Sequence, residues 1–370
     1  PPATPDEAGP VGDAFRASHA FNERSNAARY TEGVYVNTPV EHLAGLRSTG
    51  DGRVDRLLAW QGDRLVGALT LYSPLLDSTH MTEITIEPAL ELDDAEQRTV
   101  AEALVSRAHE EAERDGRSTI VASTVGAATG PVTARTGFGG ADPAHPDTAP
   151  LVARGYALEQ VYRVSVADLA SLPDLDERYV AAAEHADGYE LVRWSGETPE
   201  QHRAGMRALH ERMSTDAPVA GLAWEPEVWD DARLAEFERS TQEGGRTLLT
   251  VAARHIASGE LAGFSTLILP TTGATARQHD TLVTKPHRGH GLGMLTKLDN
   301  MLRLREQRPE LVRIVTWNAE ENRPMLAVNE AVGFLPVAYE AQWQWRAPQG
   351  TEQPERLAHR QPEEREQVEA

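Results

Sequence analysis

Cysteine is absent from the 370 residues. That excludes disulfide scaffolds, thiolate metal sites and a cysteine nucleophile belonging to the protein. No apolar run approaches the roughly 18 residues that a membrane span needs, so an integral membrane protein is not expected. Basic residues are few: 36 Lys and Arg stand against 57 Asp and Glu, a formal net charge of −21. A field of that sign repels phosphate backbones and anionic lipid, so neither nucleic acid nor a membrane is expected as a partner. It draws in cations, amines among them. The opening Pro1-Pro-Ala-Thr-Pro-Asp-Glu-Ala-Gly-Pro10 has no basic stretch followed by an apolar one. No signal peptide is read there, and a cytoplasmic location is the expectation. GxSxG, HExxH and GxxxxGK[ST] are all missing, which leaves a serine hydrolase, a zinc peptidase and a nucleoside triphosphatase unsupported. The 13 His are scattered, and no metal is expected.

The length favours two domains. Residues 1–12 are Pro-rich and residues 347–370 polar and acidic, so both ends read as disordered. Between them runs a weak internal repeat. Arg56–Trp60 and Arg64–Leu71 read as two strands around a turn, and so do Leu248–Ala252 and Leu261–Leu269. Gly155-Tyr156 and Gly333-Phe334 each close an apolar helix and precede an aromatic-rich strand. One α+β unit is therefore expected twice, over residues 13–175 and 186–346, each a twisted mixed β-sheet flanked by helices. The join is placed between Pro173 and Asp187. In the second unit, Met206, Leu209 and Met213 mark one helix, and Trp229, Leu234 and Phe237 a second. A strand ends at Val283, and Leu295, Leu298, Met301 and Leu302 line the helix after it. Residues 311–317, 324–332 and 336–345 read as strand, helix and strand.

The informative stretch is Thr281-Leu-Val-Thr-Lys-Pro-His-Arg-Gly-His-Gly-Leu-Gly293. A strand enters a loop in which Gly289, Gly291 and Gly293 alternate, and the loop opens a helix. Glycines let the backbone turn tightly and approach a ligand closely. The first N–H groups of the helix lack internal partners and lie at its positive dipole end. Together they suit phosphate, and Arg288 adds a cation. A dinucleotide fingerprint needs glycine where Met294 stands.

Arg288-Gly-His-Gly-Leu-Gly293 after a strand containing Val283, followed by Asn322-Arg-Pro-Met325 and Gly333-Phe334, resembles the GCN5-related N-acetyltransferase (GNAT) superfamily. The resemblance covers roughly Tyr189 to Trp345. The two-unit layout is similar to that of mycothiol synthase-like actinobacterial acetyltransferases. It implies acetyl-CoA as co-substrate, with the diphosphate on the backbone of Arg288, Gly289, His290, Gly291, Leu292 and Gly293. It also implies a pantetheine arm along Leu282, Val283 and Thr284, beside Asn322. The implied reaction moves an acetyl group to a primary amine of a small molecule or peptide, by direct attack in a ternary complex. Where the family often carries a Tyr that protonates the departing thiolate, this chain has Asn329. An amide is no acid at neutral pH, so Tyr339 or a water would take that role. The same departure keeps a second reading open, a non-catalytic acyl-CoA-binding module.

An amine must lose a proton before it attacks, so a carboxylate or imidazole is needed near the strand end. Asp280 and His279 stand there. Strand alternation predicts that they point to opposite faces, and Asp280 is favoured because it also attracts a cationic amine. His210, Glu211 and Glu340 are the other candidates. His287 and His290 flank Arg288, and Trp343 and Trp345 read as sheet packing. In the first unit the matching segment is Glu83-Ile-Thr-Ile-Glu-Pro-Ala-Leu-Glu-Leu-Asp-Asp94. It has no glycine, and its acids at the next helix start would repel a diphosphate. That unit reads as a degenerate copy, structural or forming one wall of the acceptor site. The acceptor's identity and the choice between monomer and homodimer leave no signal in the chain.

Overall fold

The computed structural model describes residues 1–30 and 33–348. The first half comprises α1 (Pro10–Arg29), α2 (Pro39–Gly45), β1 (Gly52–Gln61), β2 (Arg64–Pro74), β3 (Met81–Pro88), α3 (Asp94–Arg114), β4 (Thr119–Gly126), the short β5 (Val132–Thr133) and β6 (Gly140–Ala141), α4 (Ala149–Ala153) and β7 (Ala157–Asp168). Helix α5 (Leu175–Ala183) connects the halves. The second half comprises β8 (Tyr189–Ser195), α6 (Glu200–Asp216), α7 (Asp231–Glu243), β9 (Thr247–His255), β10 (Leu261–Leu269), β11 (Thr275–Val283), α8 (Leu292–Gln307), β12 (Arg313–Ala319), α9 (Arg323–Ala331) and β13 (Leu335–Arg346).

The two copies share one sheet of 11 strands, in the order β1-β2-β3-β4-β13-β7-β12-β11-β10-β9-β8. The last strand of each half lies beside the other half. β13 pairs antiparallel with β4, Tyr339 opposite Gly126 through Arg346 opposite Thr119. β7 pairs antiparallel with β12, Arg313 opposite Asp168 through Ala319 opposite Tyr162. β13 and β7 then pair with each other at the centre. Neither copy closes its own sheet.

Two loops cross as well. The segment before α2 sets Val34 against Val164 and Val315. The α6–α7 loop sets Leu222 and Trp224 against Met81 and Val121. Each half keeps a core beneath its long helix: Leu295, Leu298 and Met301 of α8 with Phe334 in the second, Leu104 and Val105 of α3 with Trp343 in the first. Gly333 ends α9 with φ +100°, a conformation that costs glycine little. A Cβ there would also lie 2.6 Å from Leu172.

Two terminal and linker readings need correction. Residues 1–12 are ordered: Pro2 is buried, Arg47 Nη2 donates to the Ala3 carbonyl at 2.7 Å, and α1 begins at Pro10. That helix is polar apart from a few residues such as the buried Phe15 and Phe21, so its amphipathic signal is weak. The polar join holds α5, whose Leu175 and Ala182 enter the core beside α8. The tail beyond Pro348 lies outside the described residues.

Candidate active site

β11 and β12 run parallel but pair only from Thr275 opposite Arg313 to Arg277 opposite Val315. Beyond Arg277, β11 keeps β10 on one side, and among the described residues no strand pairs with it on the other. Its register against β10 also shifts there, from Leu267 opposite Gln278 to Ser265 opposite Thr281. Two residues, His279 and Asp280, therefore face the single Thr266. This is a β-bulge, which bends a strand and re-aims its side chains.

The bulge corrects the expectation of opposite faces. Both side chains point toward α6 and α7. The His279 ring stacks on Phe237 with centroids 5.2 Å apart. Asp280 Oδ2 lies 3.4 Å from His210 Nδ1 and 3.6 Å from His279 Nε2. On the other face Gln278 and Thr281, three apart in sequence, both bond Ser265. His210 is buried and lies flat on Trp229, with centroids 4.3 Å apart. Glu211 accepts the Trp229 backbone N–H at 3.0 Å, which makes it a support for that ring.

Burial opposes the charge on Asp280, but His279 and then His210 hold its carboxyl below the ordinary carboxylate range. Burial lowers the pKa of His279, against the raising influence of Asp280, so its imidazole is neutral near pH 7. The His279 side chain is 36% exposed and that of Asp280 19%. A neutral, reachable imidazole thus stands beside an anchored carboxylate.

At the end of β11 the loop turns into α8. Gly289 has φ +89° and Gly291, the N-cap of α8, has φ +65°. No Cβ could sit at either without strain. Among the described residues the N–H groups of Gly289, His290, Gly291, Leu292 and Gly293 have no acceptor. Arg288 braces this turn: Nε donates to the Val283 carbonyl at 3.0 Å and Nη2 to Asp216 Oδ2 at 3.1 Å. Lys285 reaches the same carboxylate at 3.0 Å. Tyr189 Oη lies 2.8 Å from His287 Nδ1, and its ring 5.2 Å from that of His290.

The three strand residues expected to hold the pantetheine arm divide. The Thr284 N–H and hydroxyl both donate to Ala262. By antiparallel alternation Leu282 also faces β10. Val283 faces the open side together with Thr281, which the sequence reading passed over. Asn322 caps α9 by accepting the Met325 N–H at 3.4 Å. Asn329 is buried and donates to Asn318 Oδ1 at 2.5 Å. Tyr339 packs on the core of the first half. Glu340 accepts from Tyr30 Oη and Trp317 Nε1, both at 2.7 Å, and burial raises its pKa.

The fold has counterparts among solved structures. One described as a tandem GNAT protein from the clavulanic acid biosynthesis pathway, without AcCoA, matches with TM-score 0.68 and 26% identity, over 92% of this chain and 97% of that one. The chain has the tandem GNAT fold. A GCN5-related N-acetyltransferase from Sphaerobacter thermophilus matches with TM-score 0.56 and 13% identity, over 93% of this chain and 97% of that one. A GCN5-related glucosamine N-acetyltransferase region of a fungal multi-domain GH3 β-N-acetylglucosaminidase matches with TM-score 0.58 and 12% identity, over 92% of this chain and 38% of that one. These two share the fold alone. No protein-family model matches the sequence, and no curated protein does.

The first GNAT unit is built differently at each matching place. β2 and β3 pair without a register shift. Where the second unit has its bulge, the first buries the ion pair Arg56–Glu87. Asp93 accepts the Ala95 and Glu96 N–H groups at the start of α3, so that helix end is already satisfied by its own acid. Residues 127–148 add Ala128, Val132, Ala134 and Ala141 to the core between β4 and α4, where the second unit has only residues 320–322. Among the described residues no helix is long and apolar enough to cross a membrane. No group of three His, Cys, Asp or Glu among them is placed to hold a metal.

Proposed function

We propose that this tandem GNAT chain is an acetyl-CoA-dependent N-acetyltransferase that acts on a primary amine of a small molecule or peptide. Its chemistry lies in the second unit. The observation that carries this reading is the bulged end of β11. One short segment offers an open backbone edge, leads into a turn of unpaired N–H groups, and aims His279 and Asp280 together at α6 and α7.

The fit to the coenzyme rests on those groups. The turn from Gly289 to Gly293 would hold the diphosphate, and the open edge at Val283 the pantetheine arm. Acetyl-CoA, when bound, supplies the thioester carbonyl that the amine attacks. An N–H on the open edge can donate to the oxygen that gains charge during attack. The His279 imidazole takes the amine proton, and Asp280, 3.6 Å from its Nε2 and itself held by His210, stabilises the resulting imidazolium. The Asp280 carboxylate and the net charge of −21 favour a cationic amine approaching from the α6–α7 side.

Asn329 supports a second reading. Tied to Asn318, it offers no acid for a thiolate, and an acyl-CoA-binding regulatory module needs none. Calorimetric titration of acetyl-CoA, followed by release of free thiol with a panel of amines, decides between them. Heat and thiol together support the transferase; heat without thiol supports the module. No heat would remove the coenzyme from either.

A further inference from the structure

Arg246 and Arg277 line one narrow surface depression, with a cavity volume of about 20 Å³, at the seam between the halves, together with Tyr35, Asn37, Glu41 and Thr275. Arg246 donates to Asn37 Oδ1 at 2.7 Å and lies 3.5 Å from Glu41 Oε1. Burial, and after it the charge of Arg277, lowers the pKa of Arg246. Two cations thus share a space that holds one carboxylate.

Arg277 is the group left over. Its guanidinium carbon lies 5.3 Å from the ring centre of Tyr35 and 5.6 Å from that of Trp317. Among the described residues no carboxylate is within ion-pair distance of it. Glu340 feels its charge, but the Oε1 of that acid is taken by Tyr30 and Trp317. Three other inward-facing arginines are paired: Arg56 with Glu87, Arg163 with Glu320, Arg233 with Asp77; Arg117 and Arg303 donate to backbone carbonyls instead. A half-buried charge without a counter-ion is costly. A guanidinium resting on aromatic faces keeps its edge N–H groups free for a planar anion.

Its position relates it to the chemistry. Arg277 precedes His279 by two residues on the same face of β11, a separation of about 7 Å along a strand. Its charge also reaches His279. An acceptor about 7 Å long whose amine meets His279 and Asp280 is long enough to reach Arg277 with its far end. We infer that Arg277, with Arg246 behind it, is the subsite for a carboxylate on the acceptor, so that the acceptor is a small amine of the amino-acid class. The N-terminal half then supplies part of the specificity wall through Tyr35. This inference rests on the proposed transferase reading for the amine end only.

The test uses matched pairs: β-alanine with β-alaninamide, and γ-aminobutyrate with butylamine. Binding is read by calorimetry on the chain alone and with saturating CoA, and turnover by thiol release from acetyl-CoA. The acid member of each pair is expected to bind and react about ten-fold better or more, the size of one charge-assisted contact. Arg277→Gln should abolish the difference within each pair, and Arg277→Lys should restore part of it. A purely structural arginine would change both members of a pair alike. Neutral amines equalling the acids in the native chain would overturn the subsite, as would acids that fail to bind at about 10 mM. Phosphoethanolamine outdoing both acids ten-fold would overturn the carboxylate assignment. Thiol release with neutral amines alone leaves the transferase standing without the subsite. Arg277-dependent binding of acids by a chain that gives neither heat nor thiol with acetyl-CoA leaves the subsite without the transferase.

Discussion

Asp280 Oδ2 lies 3.4 Å from Nδ1 of His210, a residue on a different element and an earlier stretch of chain. The contact exists because the bulge in β11 turns Asp280 toward α6, and because Trp229 holds the His210 ring flat from the other side. His279, turned the same way, completes a His–Asp–His row.

The row makes a pH prediction. His279 accepts a proton only when neutral, and burial sets its pKa below the ordinary 6.5. The acid limb of kcat/KM should therefore fall below pH 6.5, with a further limb from the amine itself. Asp280 raises the pKa of His279, so Asp280→Asn should move the limb to still lower pH and lower the plateau about 10²-fold or more. His279→Gln should abolish the limb. An unchanged profile in both variants would remove the row from the chemistry.

Gly293 separates coenzyme binding from folding. Its φ is not in the left-handed region, and a Cβ would meet only Val283 Cγ2 at 3.7 Å, an ordinary contact. Gly293→Ala should leave the Tm unchanged or slightly higher, since alanine favours a helix by about 1 kcal/mol over glycine. If the turn cradles a diphosphate, acetyl-CoA affinity should still fall, measured by calorimetry. Gly291→Val, at φ +65°, should lose affinity and also about 1–2 kcal/mol of stability. Full affinity in both variants would refute the cradle.

The strand exchange predicts shared stability. Trp343 is fully buried on β13 and donates to Thr124 Oγ1 of β4 at 3.0 Å. Trp343→Ala should cost about 3–5 kcal/mol. Hydrogen exchange should quicken in β4 and β7 of the first half, not only in the second. A first half that keeps its protection when the chain is cut after Phe334 would contradict this.

Lys297 on α8 is 2% exposed, with its ammonium nitrogen 5.5 Å from the centre of the Phe334 ring. Burial pulls its pKa down to about 7. The unfolded chain, with lysine near 10.4, binds this proton more tightly than the folded one over the interval between. Stability should therefore rise from pH 7 to 9, by roughly 2 kcal/mol from this group. Lys297→Met should flatten the rise in denaturant unfolding at the two pH values. A slope that survives the substitution would assign it elsewhere.

Much of the second unit was legible in the chain. Helix periods such as Met206, Leu209 and Met213, and the glycine alternation from Gly289 to Gly293, are local signals, and the structure forms the corresponding elements where they were expected. Helix α1 was missed because it has few apolar residues to show a period. The faces of His279 and Asp280 were misread because a bulge is set by the register of the partner strand, which alternation within β11 does not contain. Thr281, Trp229, Phe237 and Arg277 carry no motif of their own. They matter only through what folding brings beside them.

From composition and pattern alone follow the repeat, the order of its elements, the anion-suited turn in the second copy and the acids at the helix start in the first. These depend on backbone preferences and charges within a few residues of one another. Folding decided which strand completes which half, which way the bulged residues face, and that Arg277 rests on aromatic rings with no carboxylate beside it among the described residues. Each of those is settled by hydrogen bonding and packing between segments far apart in the chain, where hydrophobic burial and strand register act on the whole molecule at once.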